Sequence, residues 1–344
     1  MSIINIKGGE IVQNNSLAWK AYHVYYHGDL DKLIRESIKP LTVKLLVERK
    51  IEKFFFIRYW EGGPHIRFRI KLVVNNDTNK INEMIVNHIK MFLNKYPSKN
   101  IDNDNMMTRK LNRLANLENI SLKNNRIMVN NTVTEELYVP EFKKYGGKHG
   151  IKLAEEHFFN SSLLIFDFLS ELNDNKDKYF MGMKVILSYL KAMHLKIDDC
   201  IIFLDNYTEL WSRYMEGDTI TIKRYFYKKY LLQKDILDKY ILNSLDEKND
   251  LEFEVNLDWN GHLKDTVSRI KKGLERNDLI LSNKKIKKSD WLEGATYIMT
   301  SYIHMTNNRI GLKPYEEAYL SYIINCSIKN FRKEGIYKCN GLHN

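Results

Sequence analysis

From residue 19 apolar and polar positions alternate as in a strand, over about 19–27. Asp29 then stands where an N-cap belongs, ahead of Leu30, Leu33, Ile34, Ile38, Leu41 and Leu45 at helical spacing. Pro40 falls within that stripe, and a kink or break is expected there, because proline lacks the amide hydrogen and its ring crowds the carbonyl four residues back. The run from Phe54 to Trp60 is aromatic and apolar with no helical stripe, and predicts a strand. Glu61-Gly62-Gly63-Pro64 supplies the backbone freedom of a reversal, and 65–72 returns as the second strand of an antiparallel hairpin. Ile81, Met84, Ile85, Ile89, Phe92 and Leu93 mark a second amphipathic helix.

Residues from about 100 to 131 are polar and asparagine-rich, and 132–139 predicts a further strand. Beyond Gly150 the period turns helical, with helices expected at about 151–172, 179–195, 198–214, 221–244, 262–275, 291–305 and 314–332. Pro314 suits a first helical turn, Gly335 a stop, and the basic stretch 282–290 a surface loop. The expected class is α+β: an N-terminal mixed or antiparallel sheet with flanking helices, followed by a largely helical C-terminal half packed on it. One domain over 1–344 is expected, its sheet part covering 1–150 and its helical part 151–344.

The hairpin carries the densest chemistry. Alternation sends His65, Arg67 and Arg69 to one strand face and Ile66, Phe68 and Ile70 to the other, so that one face can be core and the other a cationic site. Arg58 lies near the arginine pair in sequence, on a face that depends on register. Two guanidinium groups on one face suit a carboxylate or phosphate, which they bind in bidentate fashion. By spacing alone, a solvated sheet edge is an equal reading.

Composition changes little. With 54 Lys and Arg against 43 Asp and Glu the formal net charge is +11, which favours acidic partners, but the basic residues are spread along lysine-rich helices rather than massed in a tail. Direct nucleic-acid binding is therefore not expected. Cys200, Cys326 and Cys339 form no CxxC pair, and Cys339 with His343 lacks a second ligand pair, so no metal is expected. No apolar run is long enough to span a bilayer and residues 1–10 lack a signal-peptide pattern, which fits a cytoplasmic protein. Gly62-Gly63 and Gly146-Gly147 lack the flanks of a phosphate loop, and no cofactor is implied.

Several segments taken in order resemble the glutamate-elimination domain of class I lanthipeptide dehydratases, which also occurs as stand-alone proteins in thiopeptide biosynthesis. They are Trp19 with Tyr22-His23-Val24-Tyr25-Tyr26, Phe56-Ile57-Arg58-Tyr59, and His65-Ile66-Arg67-Phe68-Arg69. Further on come Tyr138-Val139-Pro140-Glu141 with Tyr145-Gly146-Gly147, Glu155 with Phe158 and Ser162, and His304-Met305 with Asn308-Arg309. The resemblance implies a lyase that expels glutamate from glutamylated serine or threonine of a precursor peptide with its leader, leaving dehydroalanine or dehydrobutyrine. A separate tRNA-dependent enzyme would supply the glutamylated peptide.

It also implies roles. His304 matches the catalytic histidine, and Arg67 or Arg69 would meet the developing enolate oxygen or hold the glutamyl carboxylate. Glu141 matches the acid of a Glu-x-x-Arg-Tyr-Gly pattern, with Lys144 standing where the family has arginine, which keeps charge but loses bidentate geometry. Arg58, His65, Asn308 and Arg309 are implied in substrate binding. His65 reads equally as a satisfied strand histidine, and Asn308-Arg309 as a segment closing the preceding helix. Two other functions fit less well: the related thiopeptide pyridine synthases, which join two dehydroalanines and expel the leader, and a non-catalytic basic adaptor binding RNA or a partner enzyme.

Overall fold

The computed structural model describes residues 19–334 except 75, 101–104, 119–126, 173, 247, 250, 252, 254–257 and 282–289. The expected basic loop, apart from Asp290, the Gly335 stop and the Cys339 and His343 pair thus lie outside the described residues. The class is α+β, with a four-stranded antiparallel sheet near the N-terminus and helices through the C-terminal half. Two compact units are present. The first takes in the described parts of Met1–Tyr59, Pro64–Asn100 and Met128–Pro140, and the second those of Trp60–Gly63, Ile101–Ile127 and Glu141–Asn344.

In the first unit β1 (Trp19–Tyr25) leads into α1 (Leu30–Leu33), a π turn (Ile34–Ile38) and α2 (Lys39–Val47). Then come the hairpin strands β2 (Ile51–Tyr59) and β3 (His65–Leu72), α3 (Thr78–Lys95) and β4 (Thr132–Glu136). The strand order β2-β3-β1-β4, with every pair antiparallel, is that of a split β-α-β-β-α-β motif. Asp29 caps α1 by accepting from the Asp31 amide at 2.8 Å. Pro40 does not break the helical segment. Its ring would strike the Glu36 carbonyl in regular α geometry, and the widened π turn occupies that stretch. Leu33, Ile34, Ile38, Leu41 and Leu45 are buried as their spacing requires, as are Ile81, Ile85, Ile89, Phe92 and Leu93 of α3. Gly62 and Gly63 sit at φ 74° and 105°, the left-handed angles this hairpin turn requires.

The second unit is helical. It holds α4 (Asn105–Glu118), α5 (Phe142–Tyr145), α6 (Gly147–Glu171), α7 (Asn175–Ala192) and α8 (Ile197–Ser212). It continues with α9 (Thr219–Leu231), α10 (Lys234–Leu245), α11 (Trp259–Glu275), α12 (Trp291–Ile310) and α13 (Pro314–Glu334). Three departures from expectation stand out. The asparagine-rich stretch contains α4, whose Leu111, Leu114, Ala115 and Glu118 recur at helical spacing. The single helix expected over 221–244 is two, parted where Gln233 leaves helical angles at φ −132° and ψ 12°. Across that break Tyr230 donates to Asp238 at 2.6 Å, and Asn330 of α13 donates to Tyr230 at 2.7 Å, so tertiary hydrogen bonds compensate the interruption. Finally, α12 runs through Asn308 and Arg309 to Ile310 and ends on Gly311 at φ 99°, an αL cap whose amide meets the Asn307 and Asn308 carbonyls.

Small and hydroxylic side chains let helices approach closely. Thr208 of α8 donates to Ser321 of α13 at 3.1 Å, and Ser321 donates to the Leu204 carbonyl at 2.9 Å. Between α5 and α6, a β-carbon on Gly150 would lie 1.5 Å from the Tyr145 carbonyl oxygen, so only glycine fits there.

Candidate functional site

Register assigns the hairpin arginines to opposite faces. Ile57 pairs with Arg67, Phe55 with Arg69 and Tyr59 with His65, whereas Arg58 pairs with Ile66 on the core-forming face. There Arg58 meets Asp31 at 2.6 Å, both side chains 13 % exposed. The structure therefore does not bring Arg58 together with the arginine pair. A buried ion pair of this kind needs its partner, and Asp31 comes from the first helical turn after β1.

On the other face the β1 neighbours are His23 opposite Arg67, Ala21 opposite Arg69 and Tyr25 opposite His65. His65 is fully buried, its ring 4.5 Å from Tyr25, 5.1 Å from His23 and 5.7 Å from Tyr59. Arg67 donates its Nε–H to His65 Nε2 at 3.3 Å and lays its guanidinium 3.5 Å from the Tyr59 ring centre. Arg69 lies between the Phe55 and Tyr138 rings, at 5.3 and 5.4 Å. Burial, then the nearby His65, Arg67 and Arg69, push His23 down to about 3. The two guanidiniums of this face are packed against aromatic rings, an arrangement suited to a carboxylate.

In the second unit, Glu141 precedes the short α5 turn and Lys144 lies within it, with Nζ and Oε2 3.7 Å apart, at 37 % and 62 % exposure. Burial works to lower the lysine, but Tyr145 and Glu141 hold it above its ordinary value. Gly146 and Gly147, both near φ 85°, turn the chain from α5 into α6.

His304 occupies α12 with its ring stacked 3.9 Å from that of Trp211 on α8, at an interplanar angle of 19°. Its Nδ1 meets Glu317 Oε1 of α13 at 2.8 Å. Glu317 is fully buried and also accepts from the Tyr207 hydroxyl and, at 3.2 Å, from Asn307. Burial and the Glu317 charge raise Tyr207 well above its ordinary range. A carboxylate on Nδ1 holds the imidazole in one plane with the proton on that nitrogen, which leaves Nε2 as the basic atom. Asn308, one turn on, shares the His304 face and is half-buried. Arg309 points elsewhere: fully buried, it donates to Ser162 Oγ at 3.1 Å and to the Met305 carbonyl at 2.7 Å, above the Phe158 ring at 4.9 Å.

Sequence reasoning missed Glu317, Tyr207 and Trp211. Glu316-Glu317 after Pro314 looks like the acidic first turn of any helix, and nothing local ties it to a histidine thirteen residues earlier. It also missed a histidine pair, of which His157 is fully buried. His157 Nδ1 meets His262 Nε2 at 3.1 Å, and its Nε2 meets the Tyr189 hydroxyl at 2.6 Å, which in turn lies 3.1 Å from Thr306 Oγ1 on α12. Burial, then His262 and Arg309, hold His157 well below 6.5, and burial takes His262 to about 4. Below pH 6.5 the unfolded chain therefore binds a proton that folded His262 refuses. Stability is lost as pH falls from 6.5 to about 4, by about 3 kcal/mol through this residue. Urea titrations across that window are expected to show the loss, and His262→Gln to lessen it, while His157 and His23 keep their own share.

A family model described as the lantibiotic biosynthesis dehydratase C-terminal part matches residues 19–328. The chain belongs to this family. Among relatives, the epidermin biosynthesis protein EpiB of Staphylococcus epidermidis is 24% identical over 317 residues, which cover 91% of this chain and 26% of EpiB. The chain thus spans about a quarter of the length of that curated relative. Among solved structures, the pyridine synthase TbtD from thiomuracin biosynthesis superposes with a TM-score of 0.71 at 17% identity, covering 93% of this chain and 99% of TbtD. TsrL superposes at 0.65 with 14% identity, over 92% of this chain and 95% of its own. These two are likenesses of fold. The family match begins at Trp19, the first residue of β1, and ends within α13, so it includes both compact units. Among the described residues no helix is long and apolar enough to cross a membrane.

Proposed function

We propose that this member of the family removes glutamate by β-elimination from glutamylated serine or threonine of a ribosomal precursor peptide, yielding dehydroalanine or dehydrobutyrine. The observation that carries this reading is His304, oriented through Nδ1 by buried Glu317 and stacked on Trp211. Elimination needs a base fixed on a weakly acidic Cα–H, and the Nε2 atom meets that need. As the proton goes to Nε2, the Cα–H electrons form the Cα=Cβ bond, the Cβ–O bond breaks, and glutamate leaves as a carboxylate. Arg67 and Arg69 are the cations proposed for the enolate oxygen and the glutamyl carboxylate. Glu141 and Lys144 are proposed as a charged pair acting on the departing group, and Asn308 as a ligand of peptide backbone. His65 orients Arg67. The glutamylated peptide comes from a tRNA-dependent glutamylation enzyme, and the reaction belongs to the cytoplasm.

A second reading, a pyridine synthase, is supported by the fold likeness to TbtD over nearly all of both chains and by Lys144 in place of arginine. Incubation with a glutamylated precursor peptide separates the two. The elimination reading expects loss of glutamate by mass, abolished in His304→Ala and Arg67→Ala. A synthase leaves that peptide unchanged and instead consumes a peptide with two dehydroalanines, releasing its leader.

A further inference from the structure

Glu118, at the end of α4, has no part in the reading above, yet it stands among its residues. Within the second unit its carboxylate accepts the Trp60 Nε1–H at 2.9 Å. It also holds the hydroxyl of Tyr214, which burial and the Glu118 charge raise above its ordinary range. The Tyr214 ring lies 5.8 Å from Trp211, whose indole is the platform on which His304 stacks. Glu118 also acts electrostatically on Lys144, more weakly than Tyr145 and Glu141 do. One anion, one cation and a wall of aromatic rings thus lead to the oriented histidine.

The charge pattern matches a specific ligand. An aminoacyl-tRNA is an ester of the α-carboxyl group, so a glutamyl unit transferred from it keeps its α-amine beside the ester carbonyl and its side-chain carboxylate at the far end. The adduct is a zwitterion. Its ammonium needs a carboxylate in a partly desolvated site, and aromatic faces beside that carboxylate strengthen the attraction. A carboxylate offers about four acceptor positions, and Trp60 and Tyr214 account for two of them among the described residues.

We propose that Glu118 is the specificity residue for the glutamyl group, receiving its α-ammonium. This rests on the elimination reading and adds to it a reason for α4, the helix inserted between α3 and β4.

Two synthetic precursor peptides test it, one with a serine acylated by glutamate through the α-carboxyl, the other by glutaric acid, which lacks only the amine. Dehydroalanine formation is followed by mass, and kcat/KM is compared. Wild type is expected to favour the glutamyl ester by about 10- to 100-fold, the range a charge-assisted hydrogen bond supplies. Glu118→Gln, which keeps an oxygen for Trp60, is expected to bring the ratio near one by losing mainly on the glutamyl ester. Should that variant fail to fold, Glu118→Asp carries the comparison, with a reduced preference expected from its shorter arm. Equal turnover of both esters by wild type, or an undiminished preference in the variant, overturns the proposal while leaving elimination standing. Turnover of neither ester overturns both.

Discussion

Glu317→Gln is expected to lower kcat for glutamate elimination by about 10⁴-fold with KM nearly unchanged, the size of effect seen when an amide replaces a carboxylate behind a catalytic histidine. The reasoning is geometric. Glu317 Oε1 accepts from His304 Nδ1 at 2.8 Å, while Tyr207 and Asn307 donate to Oε2. Those two donors will hold the glutamine carbonyl oxygen on their side and turn its amide toward His304. Nδ1 must then accept rather than donate, which moves the ring proton to Nε2 and removes the base. Shape and burial are conserved, so far-UV circular dichroism should match wild type. His304→Ala should be as slow, and the double variant no slower than His304→Ala, because the two side chains act as one unit. A stability loss with kcat unaltered would reduce Glu317 to a structural role.

Arg309→Met is expected to destabilise the protein by about 3 kcal/mol, read as a shift in the urea midpoint at constant slope. Arg309 is fully buried, and its loss removes its hydrogen bonds to Ser162 Oγ and the Met305 carbonyl and its packing over the Phe158 ring. Arg309→Lys keeps the charge but not the planar fork, and should recover only part of the loss. The resemblance implies a substrate-binding arginine at this position, but the geometry ties it to α6 and to its own helix, so folding should suffer before KM. If Arg309→Lys melts like wild type and raises KM, the residue binds substrate after all.

His304 and Arg309 sit five positions apart on one helix, and the contrast shows what patterning can convey. The stripe through Tyr302, Ile303, Thr306 and Ile310 marks a helix, but the asparagines at 307 and 308 read as its end. Inside the protein Asn307 is buried against Glu317, and a polar residue satisfied by a distant partner no longer favours a turn. The same applies at α4, where asparagines among Leu111, Leu114 and Ala115 obscure a helix, and at Gln233, where no glycine or proline announces a break.

What the sequence determined by itself is whatever depends on near neighbours: the α+β class, the hairpin with its glycine turn, the two faces of β3, the cap at Asp29, and the buried stripe of α3. Period and turn chemistry act over a few residues, so they are written locally. Resemblance, summed over motifs spread along most of the chain, added the family. Tertiary structure alone decided that Arg58 turns to Asp31, away from Arg67 and Arg69, because one residue of register exchanges the faces. It alone brought Glu317 to His304 and Glu118 to Trp60 and Tyr214, since a carboxylate finds its partner only when separate elements meet, and no periodicity records which elements those are.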